Sequence, residues 1–177
     1  EDMSQLIENQ LSSINNGRFE IITSEIVTEF SGDINGVHTV KTGSGREFNT
    51  DFVILCTGVK PNVEIAKDAG IELGVTGAIK VNQNYMTNDR DIYAVGDGIE
   101  VYNSLFNDYF KLSLAGPAQK QARGVADHIN GMKIDNRGYI GSSVIKVFGY
   151  NGASTGLTES IIKDRKLNIN YETVEMI

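Results

Sequence analysis

The apolar positions at the start of the chain recur every three or four residues, as they do along one face of an α-helix. Met3, Leu11 and Ile14 follow this spacing, and Asn15-Asn16-Gly17 interrupts it. The pattern predicts an amphipathic helix over residues 3–15.

Beyond residue 17 the pattern changes to short β-branched runs separated by turn residues. Residues 26–30 and 37–42 flank Asn35-Gly36, a pair typical of the tight turn between two antiparallel strands. We predict a hairpin there, continued by a short strand at Glu47-Phe48. Residues 51–56 form a near-continuous apolar run, which predicts a strand buried on both faces of a parallel sheet.

A second apolar run, residues 91–95, ends in Gly96-Asp97 and also predicts a buried strand. Gly96 has no Cβ, so a ligand or another backbone segment can come close to it. Asp97 would then lie at the carboxyl end of a strand, where open α/β sheets bind ligands. Its carboxylate is suited to accept hydrogen bonds from sugar-alcohol hydroxyls. The alternative is that Gly-Asp is simply a turn after a strand.

Residues 114–117, Leu-Ala-Gly-Pro, predict the start of a helix with proline at its first position. Apolar residues at helical spacing predict its buried stripe: Ala118, Ala122, Val125, Ala126 and Ile129. The first backbone N–H groups of a helix lack intrahelical acceptors and carry a partial positive charge. This end therefore suits an anionic or carbonyl group, although a helix that merely begins with proline remains the alternative.

Composition excludes some classes of partner. The 177 residues are 40% hydrophobic and 22% charged, as in ordinary globular proteins, and the formal net charge is −7. With no basic patch we expect no nucleic-acid partner, and with no apolar run of about 20 residues we expect no membrane span. The single cysteine rules out an internal disulfide, so we expect a cytoplasmic protein.

Several segments taken together resemble the flavoprotein pyridine nucleotide-disulfide oxidoreductases. The match is best to the branch that holds coenzyme A-disulfide reductases and NADH oxidases/peroxidases. No single segment is decisive, but their order and spacing are specific. The segments are residues 52–62, 69–73, 76–81, 87–97 and 114–121.

The resemblance implies an α/β fold: partial doubly wound, Rossmann-like FAD/NAD(P)-binding domains with a β-meander, plus the start of an α+β dimerisation domain. Residues 1–59 would be the C-terminal half of the NAD(P)-binding domain. Residues 60–134 would be the C-terminal part of the FAD-binding domain, and residues 135–177 the start of the dimerisation domain. We therefore expect an internal fragment that is inactive alone.

The resemblance also implies a set of cofactor-binding residues. Asp97 would hold the ribityl chain of FAD, and the start of the later helix would lie beside the flavin ring. Gly58 would contact nicotinamide or only relieve the backbone at the end of its strand. The implied cofactor-binding residues are Gly58, Gly96, Asp97, Leu114, Ala115, Gly116 and Gln119.

Other parts of the chemistry are missing from the sequence. The Gly-x-Gly-x-x-Gly fingerprint is absent, because Gly43-Ser44-Gly45 is followed by Arg-Glu-Phe and predicts a turn. The family's redox cysteine precedes this region, and Cys56, inside a predicted strand, is expected to be an inert core thiol. We identify no catalytic residue and no set of residues with metal-ligand spacing.

These features and the resemblance together imply part of an oxidoreductase that passes hydride from NAD(P)H through FAD to a disulfide such as coenzyme A disulfide. The intact protein would be a homodimer. One alternative is an NADH oxidase or peroxidase that reduces oxygen or peroxide. The other is a non-catalytic interaction module that uses only the fold.

Overall fold

The computed structural model describes residues 2–14 and 20–174, with side chains of the first helix described from residue 7. The chain divides into two compact units, Glu1–Val59 and Lys60–Ile177. The three-domain division predicted from the sequence, with a boundary at residue 135, stays a prediction.

The first unit contains one helix and an antiparallel meander. Helix α1 spans Asp2–Ile14, as predicted, and the sheet has the order β1-β2-β3. The predicted hairpin is confirmed, but its turn residues are Ile34 and Asn35, because Gly36 already pairs with Asp33. The Asp33 carboxylate accepts a 2.7 Å hydrogen bond from the Asn35 N–H, which stabilises this turn. The strands are β1 (Val27–Asp33), β2 (Gly36–Thr42) and β3 (Glu47–Asn49).

The apolar run after β3 is not a strand, which corrects the sequence prediction. Residues 52–60 have no regular secondary structure, and Phe52, Ile54 and Leu55 are 71%, 74% and 67% exposed. A strand is defined by hydrogen bonds to a neighbouring strand, and the described part of the chain places none beside this run. Cys56 is consequently exposed and is not the core thiol that we expected.

The second unit holds short helices, two hairpins and one long helix. Strands β4 and β5 pair in one antiparallel hairpin, and β6 and β7 pair in another. The elements are α2 (Glu64–Asp68), a 3₁₀ turn (Gly96–Gly98), β4 (Glu100–Asn103), β5 (Asp108–Lys111), α3 (Ala115–Ile129), β6 (Ser143–Val147), β7 (Tyr150–Ser154) and α4 (Glu159–Asp164).

The core of the second unit lies between β4, α3 and the segment before the 3₁₀ turn. Its most buried members are Tyr85, Ile99 and Val101, which are 3%, 1% and 4% exposed. The hydroxyl oxygen of the buried Tyr85 lies 2.8 Å from that of the half-buried Tyr139, so each hydroxyl group has a hydrogen-bond partner. Half-buried apolar residues complete the cluster: Ile79, Val81, Ala94, Phe110, Leu112, Val125 and Ile134.

Residues 91–95 were expected to form a buried strand, and this prediction is also wrong. The segment makes one isolated bridge, from Tyr93 to Met86, and Ile92 and Val95 are 40% and 39% exposed. Its backbone is nevertheless tied to the core, because the Ala94 N–H donates a 3.0 Å hydrogen bond to the Tyr85 carbonyl. The backbone just before Gly96 and Asp97 is therefore held in place by this hydrogen bond.

Candidate functional site

The Gly96-Asp97 pair forms a tight turn at the end of this tethered segment. Val95 is extended, and Gly96 has φ +80°, a left-handed conformation that favours glycine. The following residues form the 3₁₀ turn Gly96–Gly98, which leads directly into β4. Asp97 is exposed. The turn thus presents a carboxylate at the surface. The sequence predicted Asp97 at the carboxyl end of a strand, but the segment before it is not a strand, and its role as a ligand-binding residue stays a prediction.

Two further bonds connect this turn to the loop around Ile79. The Ile79 N–H donates to the Gly98 carbonyl at 2.8 Å, and the Glu100 N–H donates to the Ile79 carbonyl at 3.1 Å. These bonds make a short parallel bridge on the C-terminal side of Asp97. The backbone on both sides of the carboxylate is therefore fixed.

The amino end of α3 begins after Leu114, which is extended and makes no side-chain cap. Ala115 and Gly116, the first two residues of the helix, are exposed, and their N–H groups donate no hydrogen bond within the described chain. We had predicted proline at the first position of the helix, but Pro117 is its third residue. The position still suits proline, because the N–H that it lacks would have no intrahelical acceptor.

Direct contacts bring the turn and this helix together. The Gly96 N–H donates a 2.6 Å hydrogen bond to Oε1 of Gln121, in the second turn of α3. A Cβ built on Gly96 would lie 3.9 Å from the Cβ of Ala118. The two features predicted to flank one ligand, Gly96-Asp97 and the start of α3, are therefore neighbours.

Gln121 is the residue that sequence reasoning missed. Its side chain is 1% exposed, and its Nε2 makes no hydrogen bond within the described chain. The predicted buried stripe on α3 was partly wrong, because Ala122 and Ile129 are exposed. The buried face also has helical spacing, since it contains Ala118, Gln121 and Val125. A search for apolar residues does not find this face, because its middle residue is polar.

An unmatched buried donor is costly, by about 1–3 kcal/mol. The amide orientation of Gln121 is fixed, since the Gly96 N–H needs an oxygen acceptor and Oε1 is the oxygen. Nε2 is thus the unmatched atom. Because of this unmatched donor, glutamine is not the residue that would give the highest stability at this position. Stability alone therefore does not explain why a glutamine accepts the hydrogen bond from Gly96.

The other predicted contacts surround the same helix end. Gln119 is exposed and Leu114 is half-buried, and a Cβ built on Gly116 would meet no atom within 4 Å. Leu114 also lines a cavity of about 360 Å³ with Phe110 and Leu112. The surface at this helix end is therefore open and partly apolar, and it is formed by small residues. Such a surface suits a flat ring.

Gly58, the remaining predicted cofactor residue, belongs to the first unit. Its φ is +96°, and a Cβ there would meet nothing within 4 Å. The conformation alone explains the glycine. The predicted contact between Gly58 and nicotinamide stays a prediction.

The described residues contain neither a metal-binding cluster nor a helix that could cross a membrane. No group of three or more His, Cys, Asp or Glu side chains is placed there to hold a metal ion. No helix in that part of the chain is long and apolar enough to cross a bilayer.

The chain is similar to proteins of one family of oxidoreductases. The family model described as pyridine nucleotide-disulphide oxidoreductase matches residues 2–122. An NAD(P)H sulfur oxidoreductase (CoA-dependent) from Pyrococcus abyssi is 34% identical over 159 residues, which is 90% of this chain and 34% of that protein. The coenzyme A disulfide reductase of Staphylococcus epidermidis is 33% identical over 177 residues, covering 99% and 38%. An NADH oxidase of Lactococcus lactis is 30% identical over 156 residues, covering 88% and 35%.

Solved structures agree. The reduced Bacillus anthracis CoADR-RHD has a TM-score of 0.80 and 41% identity, covering 91% of this chain and 28% of that one. A FAD-dependent pyridine nucleotide-disulphide oxidoreductase from Desulfovibrio vulgaris has a TM-score of 0.84 and 29% identity, covering 94% and 41%. This likeness confirms the predicted α/β, Rossmann-like fold class. The chain spans about a third of the length of the curated relatives it matches.

Proposed function

The chain belongs to the pyridine nucleotide-disulphide oxidoreductase family, and from that premise we propose that it forms part of the FAD site of an NAD(P)H-dependent oxidoreductase. The observation that carries the proposal is the hydrogen bond from the Gly96 N–H to Gln121, which holds the Asp97 turn against α3. When bound, the flavin supplies the hydride acceptor and passes electrons on to the substrate.

Within that site each element has a separate task. The exposed Asp97 carboxylate accepts hydrogen bonds from the hydroxyl groups of the ribityl chain. The unpaired N–H groups of Ala115 and Gly116 would hold the electron-rich N1–C2 carbonyl side of the ring, because the partial positive charge of the helix end favours negative charge. The open position at Gly116 leaves room for the ring.

We propose a small-molecule disulfide, such as coenzyme A disulfide, as the electron acceptor. The coenzyme A-linked proteins among the relatives support this choice. Reduction of oxygen or peroxide is the second candidate, and the similarity to an NADH oxidase favours it. The residues described here bind and orient the cofactor in either case. A non-catalytic interaction module would bind no flavin.

We also propose that the protein is a cytoplasmic homodimer. A sequence with a single cysteine is compatible with a reducing compartment. Apolar side chains on the β6–β7 hairpin support an interface, because Val144, Phe148 and Tyr150 are 77%, 60% and 52% exposed. Analytical ultracentrifugation of the full-length gene product over a range of concentrations tests the dimer.

Flavin binding is the direct test of the proposed function. The full-length gene product should purify with a flavin absorbance band that NAD(P)H bleaches. Asp97→Ala should weaken flavin binding roughly 10–100-fold, the equivalent of about 1.5–3 kcal/mol for hydrogen bonds to a charged acceptor. Asp91→Ala is the matched control, because Asp91 is an exposed carboxylate of the same segment.

The outcomes separate the candidates. A protein that takes up no flavin would refute the oxidoreductase and leave the interaction module. Equal flavin affinity in the Asp97 and Asp91 variants would refute the role of Asp97. Steady-state oxidation of NAD(P)H with coenzyme A disulfide, oxygen or peroxide as sole acceptor identifies the substrate class.

A further inference from the structure

The buried amide of Gln121 lies where the Asp97 turn meets α3, and it has not been assigned a role in the proposed reaction. We infer that Gln121 is a positioning residue for the flavin site, which acts through the backbone of Gly96. This inference rests on the proposed function. It concerns how the carboxylate of Asp97 is held at a fixed place relative to the amino end of α3.

The geometry supports action through Gly96 rather than direct contact with a ligand. Oε1 of Gln121 accepts the hydrogen bond from Gly96 at 2.6 Å, and Gly96 immediately precedes Asp97. Nε2 is shielded from solvent, so a ligand at the exposed helix end does not reach it. The amide therefore touches the turn and not the cofactor.

The turn needs such a restraint. Gly96 is in the left-handed region at φ +80°, and glycine is the residue with the most backbone freedom to lose. The nearest side-chain contact that a Cβ at Gly96 would find is Ala118, at 3.9 Å. The hydrogen bond to Gln121 is thus the close link between the turn and the helix. The bonds of Ala94 and Ile79 hold the turn to the core but not to α3, so without Gln121 the distance from Asp97 to the amino end of α3 would vary more.

An apolar substitution at Gln121 distinguishes a positioning role from a purely structural one, because it should affect stability and flavin binding differently. An apolar side chain of the same length would remove the unmatched Nε2 donor from the interior, which favours folding. It would also remove the acceptor for Gly96, which loosens the turn. Gln121→Met should therefore leave the thermal midpoint close to that of the wild type while weakening flavin binding.

The experiment measures flavin dissociation constants, thermal midpoints and exchange of the Gly96 amide hydrogen in the full-length gene product. Gln121→Met should raise the dissociation constant about tenfold and speed exchange of the Gly96 amide in the flavin-free protein. Gln121→Glu keeps an oxygen acceptor, so Gly96 exchange should stay slower than in Gln121→Met. Burying a carboxyl group lowers the thermal midpoint and favours its protonated form, so the dissociation constant is measured well below that midpoint, where it should stay within about threefold of the wild type.

Two controls isolate the effect. Gln83→Met makes the same substitution at an exposed glutamine of the same unit and should change none of the three readouts. Val125→Ala removes a core contact of α3, so it should lower the thermal midpoint without speeding exchange at Gly96.

The possible results distinguish failure of this inference from failure of the proposed function. Wild-type flavin affinity and wild-type Gly96 exchange in Gln121→Met would overturn the inference and leave the proposed function standing. Flavin loss in Val125→Ala equal to that in Gln121→Met would overturn it as well, because stability alone would then explain the loss. A wild-type protein that binds no flavin would refute the proposed function itself, and with it any flavin-positioning role of Gln121.

Discussion

Alkaline pH should weaken the core behind the candidate site through a single side chain, Tyr85. This residue is 3% exposed, and its hydroxyl oxygen lies 2.8 Å from that of Tyr139. It also supports α3, since a Cβ built on Gly124 would come within 3.3 Å of the Tyr85 ring. Burial first, and the hydrogen bond to Tyr139 second, raise the pKa of Tyr85 above its ordinary value of 10.0.

The sign of the effect follows from the direction of that shift. A tyrosine whose pKa is raised by folding keeps its proton in the folded state after the unfolded chain has lost it. The free energy of unfolding is therefore unaffected below the unfolded pKa and falls as the pH rises above it. The slope approaches about 1.4 kcal/mol per pH unit, so the loss at about pH 11 is about 1.4 kcal/mol.

Urea denaturation of the wild type and Tyr85→Phe, at several values between about pH 8 and about pH 11, measures this loss. At the lower end the variant should be less stable by about 1 kcal/mol, the net value of one hydrogen bond. At the upper end this difference should vanish and reverse slightly, because only the wild type loses about 1.4 kcal/mol through ionisation of the Tyr85 hydroxyl in the unfolded state. Tyr150→Phe, at a tyrosine that is 52% exposed, is the control. A difference between wild type and Tyr85→Phe that does not change with pH would refute the reasoning.

Alanine substitutions at three glycines should change stability in different directions. A methyl group at Gly74 would overlap the carboxylate of Glu100, which is 3% exposed and accepts hydrogen bonds from Thr76. Gly74→Ala should therefore cost about 1–3 kcal/mol in thermal unfolding, whereas Gly43→Ala, where a Cβ meets nothing nearer than 3.8 Å, should be tolerated. Gly116→Ala should keep or raise stability by about 0.5–1 kcal/mol, since the helix gains a better former and the methyl meets no neighbour. It should also weaken flavin binding about tenfold in a titration of flavin-free protein, and unchanged affinity would move the ring away from this residue.

Local signals in the sequence predicted the local structure well. The Asn35-Gly36 pair between two β-branched runs predicted the hairpin. The helical spacing of apolar residues at the start of the chain predicted α1. The turn in the hairpin was displaced by one residue because Asp33 forms its own bond to Asn35. These features depend on a few neighbouring residues, which is why the sequence contains them.

Features that depend on distant partners were not predictable in the same way. Residues 51–56 are as apolar as a buried strand, yet hydrophobicity does not specify the neighbour that must supply the hydrogen bonds. The inward face of α3 was predicted only in part, because alanines fit either side of a helix and the most buried position of the helix is taken by the polar Gln121. A hydrogen bond across 25 residues, between Gly96 and Gln121, leaves no pattern in the chain itself.

The charges at the joined elements restrict what the site can bind. The amino end of α3 attracts negative charge, while the neighbouring Asp97 repels it and attracts hydroxyl donors. A free phosphate would gain from the first and lose from the second. A ligand with a neutral polyol next to an electron-rich carbonyl satisfies both, and the ribityl chain and pyrimidine edge of a flavin have that order of groups. The selectivity holds only if the two elements keep a fixed spacing, which is the task that the buried amide of Gln121 performs through Gly96.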